Sequence, residues 1–169
     1  YGSWNCDPAG QPVTPPCAEP AWPGVVCALP MDQFPSSISL ASLKLFGTLP
    51  ASVGCLTTLT SLDLAANLLR GSIPSSMGCL VVLRELNLYS NSLTDSIPSS
   101  MGCLAAVQGL NLYSNSLTGI IPSSMGCLVA LRELDLYSNS LTGSIPSSMG
   151  CLAAVQGLNL YSNSLTGII

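Results

Sequence analysis

Cys127 to Gly150 reads CLVALRELDLYSNSLTGSIPSSMG, one copy of a 24-residue unit that runs through most of the chain. Cysteines at 55, 79, 103, 127 and 151 mark its successive starts, each preceded by Gly and followed by Leu. The stretch Cys151–Ile169 is identical at all nineteen positions to Cys103–Ile121. The unit at Cys79 differs from that at Cys127 only at Val82/Ala130, Asn87/Asp135 and Asp95/Gly143, so odd and even units alternate with a super-period of 48 residues. A fixed period of this length marks a chain wound into stacked coils, each coil being one supersecondary unit.

Within a unit, Leu83, Leu86, Leu88, Asn91 and Leu93 set a skeleton in which side chains alternate across a short strand, leucines in and their neighbours out. One unit buries about seven apolar side chains, worth roughly 10–20 kcal/mol in gross transfer energy. Ordering its backbone opposes this at roughly 1–2 kcal/mol per residue, so a single unit does not fold alone. Stacking supplies the deficit: neighbouring strands pair about 4.8 Å apart in a parallel sheet, and each coil covers the open face of the last.

With Leu-Thr-Gly-Ser-Ile-Pro at Leu141 to Pro146, the skeleton resembles the plant-specific class of extracellular leucine-rich repeats, from about residue 31 to residue 169. The resemblance implies an α/β-type solenoid: a right-handed superhelix with a parallel β-sheet on the concave face and 3-10 or irregular turns on the convex side. It departs from the family at two points. Cys stands between Gly and Leu where a polar residue is usual, and Leu43 occupies the first place in the column Asn67, Asn91, Asn115, Asn139, Asn163. That Asn ladder is read as structural, each amide bonding backbone groups of its own turn and the next.

The segment Cys17 to Cys27, with Trp22, Gly24 and Val25 between, is similar to the N-terminal cap of the same family. The resemblance implies a Cys17–Cys27 disulfide and hence an oxidising, extracellular compartment; Cys6 is left without an identified partner. The expected division is a cap at 1–30 and a solenoid at 31–169 of about six units, the last incomplete. The repeat cysteines are expected to be buried as small hydrophobes between Gly and Leu. A metal column and disulfides between adjacent repeats are the alternatives.

Composition narrows the function. The chain is 48% apolar but only 7% charged, with four cations against eight acids and a net charge of −4; its mean hydropathy is +0.53. Lys44, Arg70, Arg84 and Arg132 are scattered singly, which gives no footprint for nucleic acid. No apolar run approaches the ~18 residues of a membrane span. The start at Tyr1, without Met or a basic leader, is expected of a secreted chain after signal removal or of a fragment. The chain has no His, so nothing near neutrality would activate its serines. Glu133 and Asp135 share a strand face, but their counterparts one unit away are Gly109 and Asn111, which argues against a paired-carboxylate site. No catalysis, cofactor or metal is expected.

The outward strand positions form columns: Tyr89, Tyr113, Tyr137 and Tyr161; Asn87, Asn111, Asp135 and Asn159; Glu85, Gly109, Glu133 and Gly157. The Tyr row with the Asn/Asp row beside it is the candidate binding face for a protein or a glycan, although stacked rings also stabilise one another. Serines beside proline, Ser99, Ser100, Ser123, Ser124, Ser147 and Ser148, are candidates for O-linked sugar. Regular hydroxyl arrays can organise water against ice, but no paired Thr-x-Thr pattern repeats through the units.

Near-identical units and an end at Ile169 inside a unit lead to the first expectation, a structural, self-associating extracellular scaffold within a longer array, filament or coat. The alternative is a receptor-like or inhibitor-like module that recognises a protein or glycan through the Tyr-lined face.

Overall fold

The structure is a computed structural model that describes residues 25–27 and 35–167. In chain order its strands are β1 (Val25–Cys27), β2 (Pro35–Ser39), β3 (Phe46–Thr48), β4 (Ser61–Asp63), β5 (Leu68–Ser72), β6 (Glu85–Asn87), β7 (Ser92–Thr94), β8 (Gly109–Asn111), β9 (Thr118–Ile120), β10 (Glu133–Asp135), β11 (Ser140–Ser144), β12 (Gly157–Asn159) and β13 (Ser164–Thr166). Cys17 and Trp22 lie outside the described residues, and so does the disulfide expected between Cys17 and Cys27.

The inner sheet has seven strands in the order β1-β2-β4-β6-β8-β10-β12. From β2 onward they pair in parallel and in one register, Leu62 beside Leu86, Leu110 and Leu134 in turn. All four of these leucines are fully buried, because the central position of each three-residue strand is the one that faces the interior. Strand β1 runs antiparallel to β2 and ends the sheet. The coils thus form the right-handed leucine-rich-repeat solenoid that the resemblance implies, with one continuous apolar interior.

The convex side carries 3-10 turns at Ala51–Cys55, Ser75–Cys79, Ser99–Cys103, Ser123–Cys127 and Ser147–Cys151. Each follows a proline in extended conformation, Pro50, Pro74, Pro98, Pro122 or Pro146. The turns pack on one another so closely that a Cβ on Gly78, Gly102 or Gly126 would collide with the carbonyl oxygen of Ser100, Ser124 or Ser148 in the following coil. Only glycine permits that approach. Gly150 meets nothing within 4 Å.

The cysteine expectation is corrected here. Cys79, Cys103, Cys127 and Cys151 are free but exposed, and Cys55 is disulfide-bonded. In a 3-10 turn residues three apart share a side, so Met77 and Leu80 both point into the core and Cys79 between them points out.

A second row of strands flanks the inner sheet but is split into β3-β5-β7 and β9-β11-β13. An isolated parallel bridge, Ser96 to Thr118, spans the gap. The split falls at Asp95, which holds φ +63° where the equivalent residues of the other coils are Gly47, Gly71, Gly119, Gly143 and Gly167, all at positive φ. A side chain in that region costs free energy that glycine does not.

Candidate binding face

The concave sheet positions every candidate residue. Because the strands share one register, the second residue beyond each strand falls into a column, and Tyr89, Tyr113, Tyr137 and Tyr161 stack face over face. Their centroids are 4.5, 4.4 and 4.6 Å apart in turn and their planes lie 8° to 12° from parallel. Tyr89, Tyr113 and Tyr137 are half-buried and Tyr161 is exposed. Burial, then the neighbouring phenols of Tyr137 and Tyr89, push the Tyr113 hydroxyl up to about 12. The Tyr137 hydroxyl is raised as well, by burial first and Tyr161 second. Tyr113 and Tyr137 therefore stay neutral across the physiological range, and the stack is a rigid strip with an apolar body and a polar edge.

The next column is hydrogen-bonded across strands. Asn111 Nδ2 donates to Asn87 Oδ1 at 2.7 Å, and Asn159 Nδ2 donates to Asp135 Oδ1. Asp135 is the most buried of the four, and the Oδ1 of Asn111, in register beside it, is buried without a hydrogen-bond partner among the described residues. The third column alternates in size: Glu85, Gly109, Glu133, Gly157. Glu85 leans over Gly109, where an added Cβ would collide with its Oε2. Burial, and then the facing charge of Glu133, raise the Glu85 carboxyl above its ordinary range.

The other Asn column sits behind this face. Asn91 Oδ1 accepts from the backbone N–H of Leu69 at 3.0 Å, while its Nδ2 donates to the carbonyls of Leu64 at 3.0 Å and Leu88 at 3.1 Å. Asn67, Asn115, Asn139 and Asn163 repeat the pattern. Each amide thus ties its own turn to the preceding coil, where the sequence reading had the next one. Leu43, the departure from this column, is 57% exposed, and its backbone N–H donates to Asn67.

The candidate serines divide by hydroxyl. Ser100, Ser124 and Ser148 donate to carbonyls of the preceding coil at 2.6 to 2.7 Å, whereas Ser99, Ser123 and Ser147 are exposed. The structure brings the Tyr row and the Asn/Asp row together on one face and places the serines on the opposite side. Sequence reasoning recorded the Glu/Gly column but gave it no role; the signal was the alternation of Arg-Glu with Gln-Gly every 24 residues.

Comparison with known proteins bears on what such a face does. A family model described as Leucine rich repeat matches residues 83–141 and 106–165, and a second of that description matches residues 58–80. Comparison with curated proteins gives no match. Among solved structures, the ectodomain of the Arabidopsis thaliana receptor kinase GASSHO1/SCHENGEN3, in complex with CASPARIAN STRIP INTEGRITY FACTOR 2, is 40% identical with a TM-score of 0.74. That match covers 75% of this chain, which spans only 15% of the receptor chain. The Arabidopsis thaliana BIR3–SERK2 complex is 36% identical with a TM-score of 0.76, over 86% of this chain and 77% of the other. A plant ice-binding protein is 27% identical with a TM-score of 0.69, over 77% of this chain and 50% of the other.

Proposed function

The chain belongs to the leucine-rich-repeat family, in its plant-type extracellular class, and on that premise we propose that it is a non-enzymatic recognition module holding a protein or peptide partner against its concave sheet. The observation that carries this reading is the Tyr89–Tyr113–Tyr137–Tyr161 stack with the Asn/Asp row beside it, an ordered amphipathic strip already in place before a partner arrives. Large rings held rigid lose little freedom on binding, which is why such groups dominate interfaces. The similarity to receptor ectodomains solved in complexes supports the same reading ahead of the self-associating coat. Residues 1–30 would close the first coil as a cap, held by Cys17–Cys27, and O-linked sugar would go to Ser99, Ser123 and Ser147 on the convex side.

The test is partner capture. The full chain, its Tyr113→Ala/Tyr137→Ala variant and a Ser123→Ala convex variant are each presented to the secreted proteins of the source and cross-linked, and the captured proteins are identified by mass spectrometry. The reading expects the same proteins on the unmodified chain and on Ser123→Ala, and their loss on the Tyr variant. Equal capture by all three contradicts it. Sedimentation that shows long assemblies instead of monomers would favour the coat.

A further inference from the structure

Four free thiols, Cys79, Cys103, Cys127 and Cys151, lie exposed on the convex 3-10 turns of four consecutive coils. They occupy one position of a repeated turn, so the nearest counterpart of each is the same residue one coil away. The turns that carry them touch directly. Ser100 Oγ donates to the carbonyl of Ser75 at 2.6 Å, and Ser124 and Ser148 repeat that bond to Ser99 and Ser123. Disulfides span Cα separations of about 4.4–6.8 Å. One coil step, about 4.8 Å between paired strands, falls inside that window, and two steps overshoot it.

Cys55, at the head of the same column, is already disulfide-bonded. Exposed thiols in the oxidising setting that such a bond requires exchange with any accessible disulfide. With Cys55 engaged, the four that remain are an even set. Pairing between neighbours uses all four in one way only, Cys79 with Cys103 and Cys127 with Cys151; a Cys103–Cys127 bond would strand Cys79 and Cys151 three coils apart. The same two junctions are the weaker ones. The flanking sheet is interrupted between β7 and β9, in the coils that start at Cys79 and Cys103. The coil that starts at Cys151 is poorly covered, its strand leucine Leu158 being 44% exposed. At the junction between them, β9 and β11 pair without a break.

We propose that the convex thiol column is a site of oxidative modification, in which Cys79–Cys103 and Cys127–Cys151 disulfides staple odd coils to the even coils that follow them. The oxidant is a small-molecule disulfide such as glutathione disulfide. The thiolate of one cysteine attacks it, one glutathione leaves as thiolate and takes up a proton, and a mixed disulfide remains on the chain. The neighbouring cysteine loses its proton, attacks the protein sulfur of that mixed disulfide and expels the second glutathione. Two thiols are thereby oxidised to one disulfide while one glutathione disulfide is reduced to two glutathiones. Neighbouring thiols on one chain face each other at an effective concentration of about millimolar or more, well above that of a second chain in solution, so bonding within the chain wins over cross-linking. Neither staple touches the concave face, and the proposal stands apart from the recognition reading.

The experiment holds the full 169-residue chain in a buffer of oxidised and reduced glutathione, quenches it by alkylation and digests it with trypsin without reduction. Cleavage after Arg70, Arg84 and Arg132 places Cys79 in peptide 71–84, Cys103 and Cys127 in 85–132, and Cys151 in 133–169. The expected result is a chain of monomer mass whose three peptides are joined in one species, with fragments that link Cys79 to Cys103 and Cys127 to Cys151. In the Cys79→Ser/Cys103→Ser variant only 85–132 and 133–169 should remain joined. The doubly bonded chain should also unfold at a higher temperature than that variant, by roughly 5 °C or more, because each bond closes a loop in the unfolded chain. Separate peptides with alkylated thiols, a bond closed within 85–132, lasting glutathione adducts, or links between chains would overturn the staples. An unchanged unfolding temperature in the bonded chain would do the same.

Discussion

The nineteen residues from Cys103 to Ile121 recur unchanged from Cys151 to Ile169, so the two segments differ only in what lies against them. Leu110 in the first is 0% exposed, and its copy Leu158 is 44% exposed. Tyr113 is half-buried between Tyr89 and Tyr137, whereas Tyr161 is 61% exposed with one ring neighbour. Burial in this solenoid is therefore conferred by the following coil and not encoded in the unit, as expected of a fold whose stability is a sum of unit and interface contributions.

The strongest way to break that comparison is to truncate both copies of one leucine. Leu110→Ala should cost about 2–5 kcal/mol, the range for opening a cavity in a closed core. Leu158→Ala should cost under about 1 kcal/mol, because nearly half of the residue is already in water and no closed cavity is left behind. Denaturant unfolding of the two variants reads the difference directly, and equal costs would mean that the coils do not cover one another.

Gly102 and Gly150 sharpen the comparison on the convex side. An alanine at Gly102 must push against the carbonyl of Ser124, while at Gly150 it meets open space. Gly102→Ala should lose about 1–3 kcal/mol as overpacking does, and Gly150→Ala should be close to neutral in thermal unfolding. Asp95 and Gly143 form a third pair, since they are the same position in two odd coils. Asp95→Gly should raise stability by up to about 1 kcal/mol by relieving the left-handed conformation. If relief of that backbone is what joins the split flank, amides from Ser92 to Thr94 should also exchange more slowly in the variant.

The smallest effect at neutral pH lies in the Tyr strip. With the Tyr113 hydroxyl pushed up to about 12 against an ordinary 10, the unfolded chain releases its proton first as pH rises. Stability is thus unchanged below pH 10 and falls between about pH 10 and 12, the direction that linkage requires for an acid with a raised folded value. Absorbance titration of phenolate should show a component near 12 that Tyr113→Phe removes. A midpoint at the ordinary value in the folded chain would contradict the close stack.

Most of the fold was legible because the period is covalent information: cysteines 24 residues apart fix which residues share a column before any contact is known. The Tyr, Asn/Asp and Glu/Gly columns followed from the same count. What the count did not contain was direction. Flanking Gly and Leu suggested buried cysteines, but the turn rotates Cys79 outward between Met77 and Leu80. The Asn amides were assigned to the next coil and instead reach back, Asn91 to Leu64 and Leu69. The depth of Asp135 beside the unpartnered Asn111 acceptor depends on side-chain packing across strands, which no periodicity reports.

The central claim is that each coil is completed by the one laid on it. The most direct test extends the chain after Ile169 with a 48-residue copy that continues the repeat and then measures the cost of Leu158→Ala in the longer protein. The account predicts that this cost rises from under about 1 kcal/mol to the 2–5 kcal/mol of a closed core position. A cost that stays low in a folded, extended chain would show that the added coils do not stack on the end, and the shared interior would be refuted.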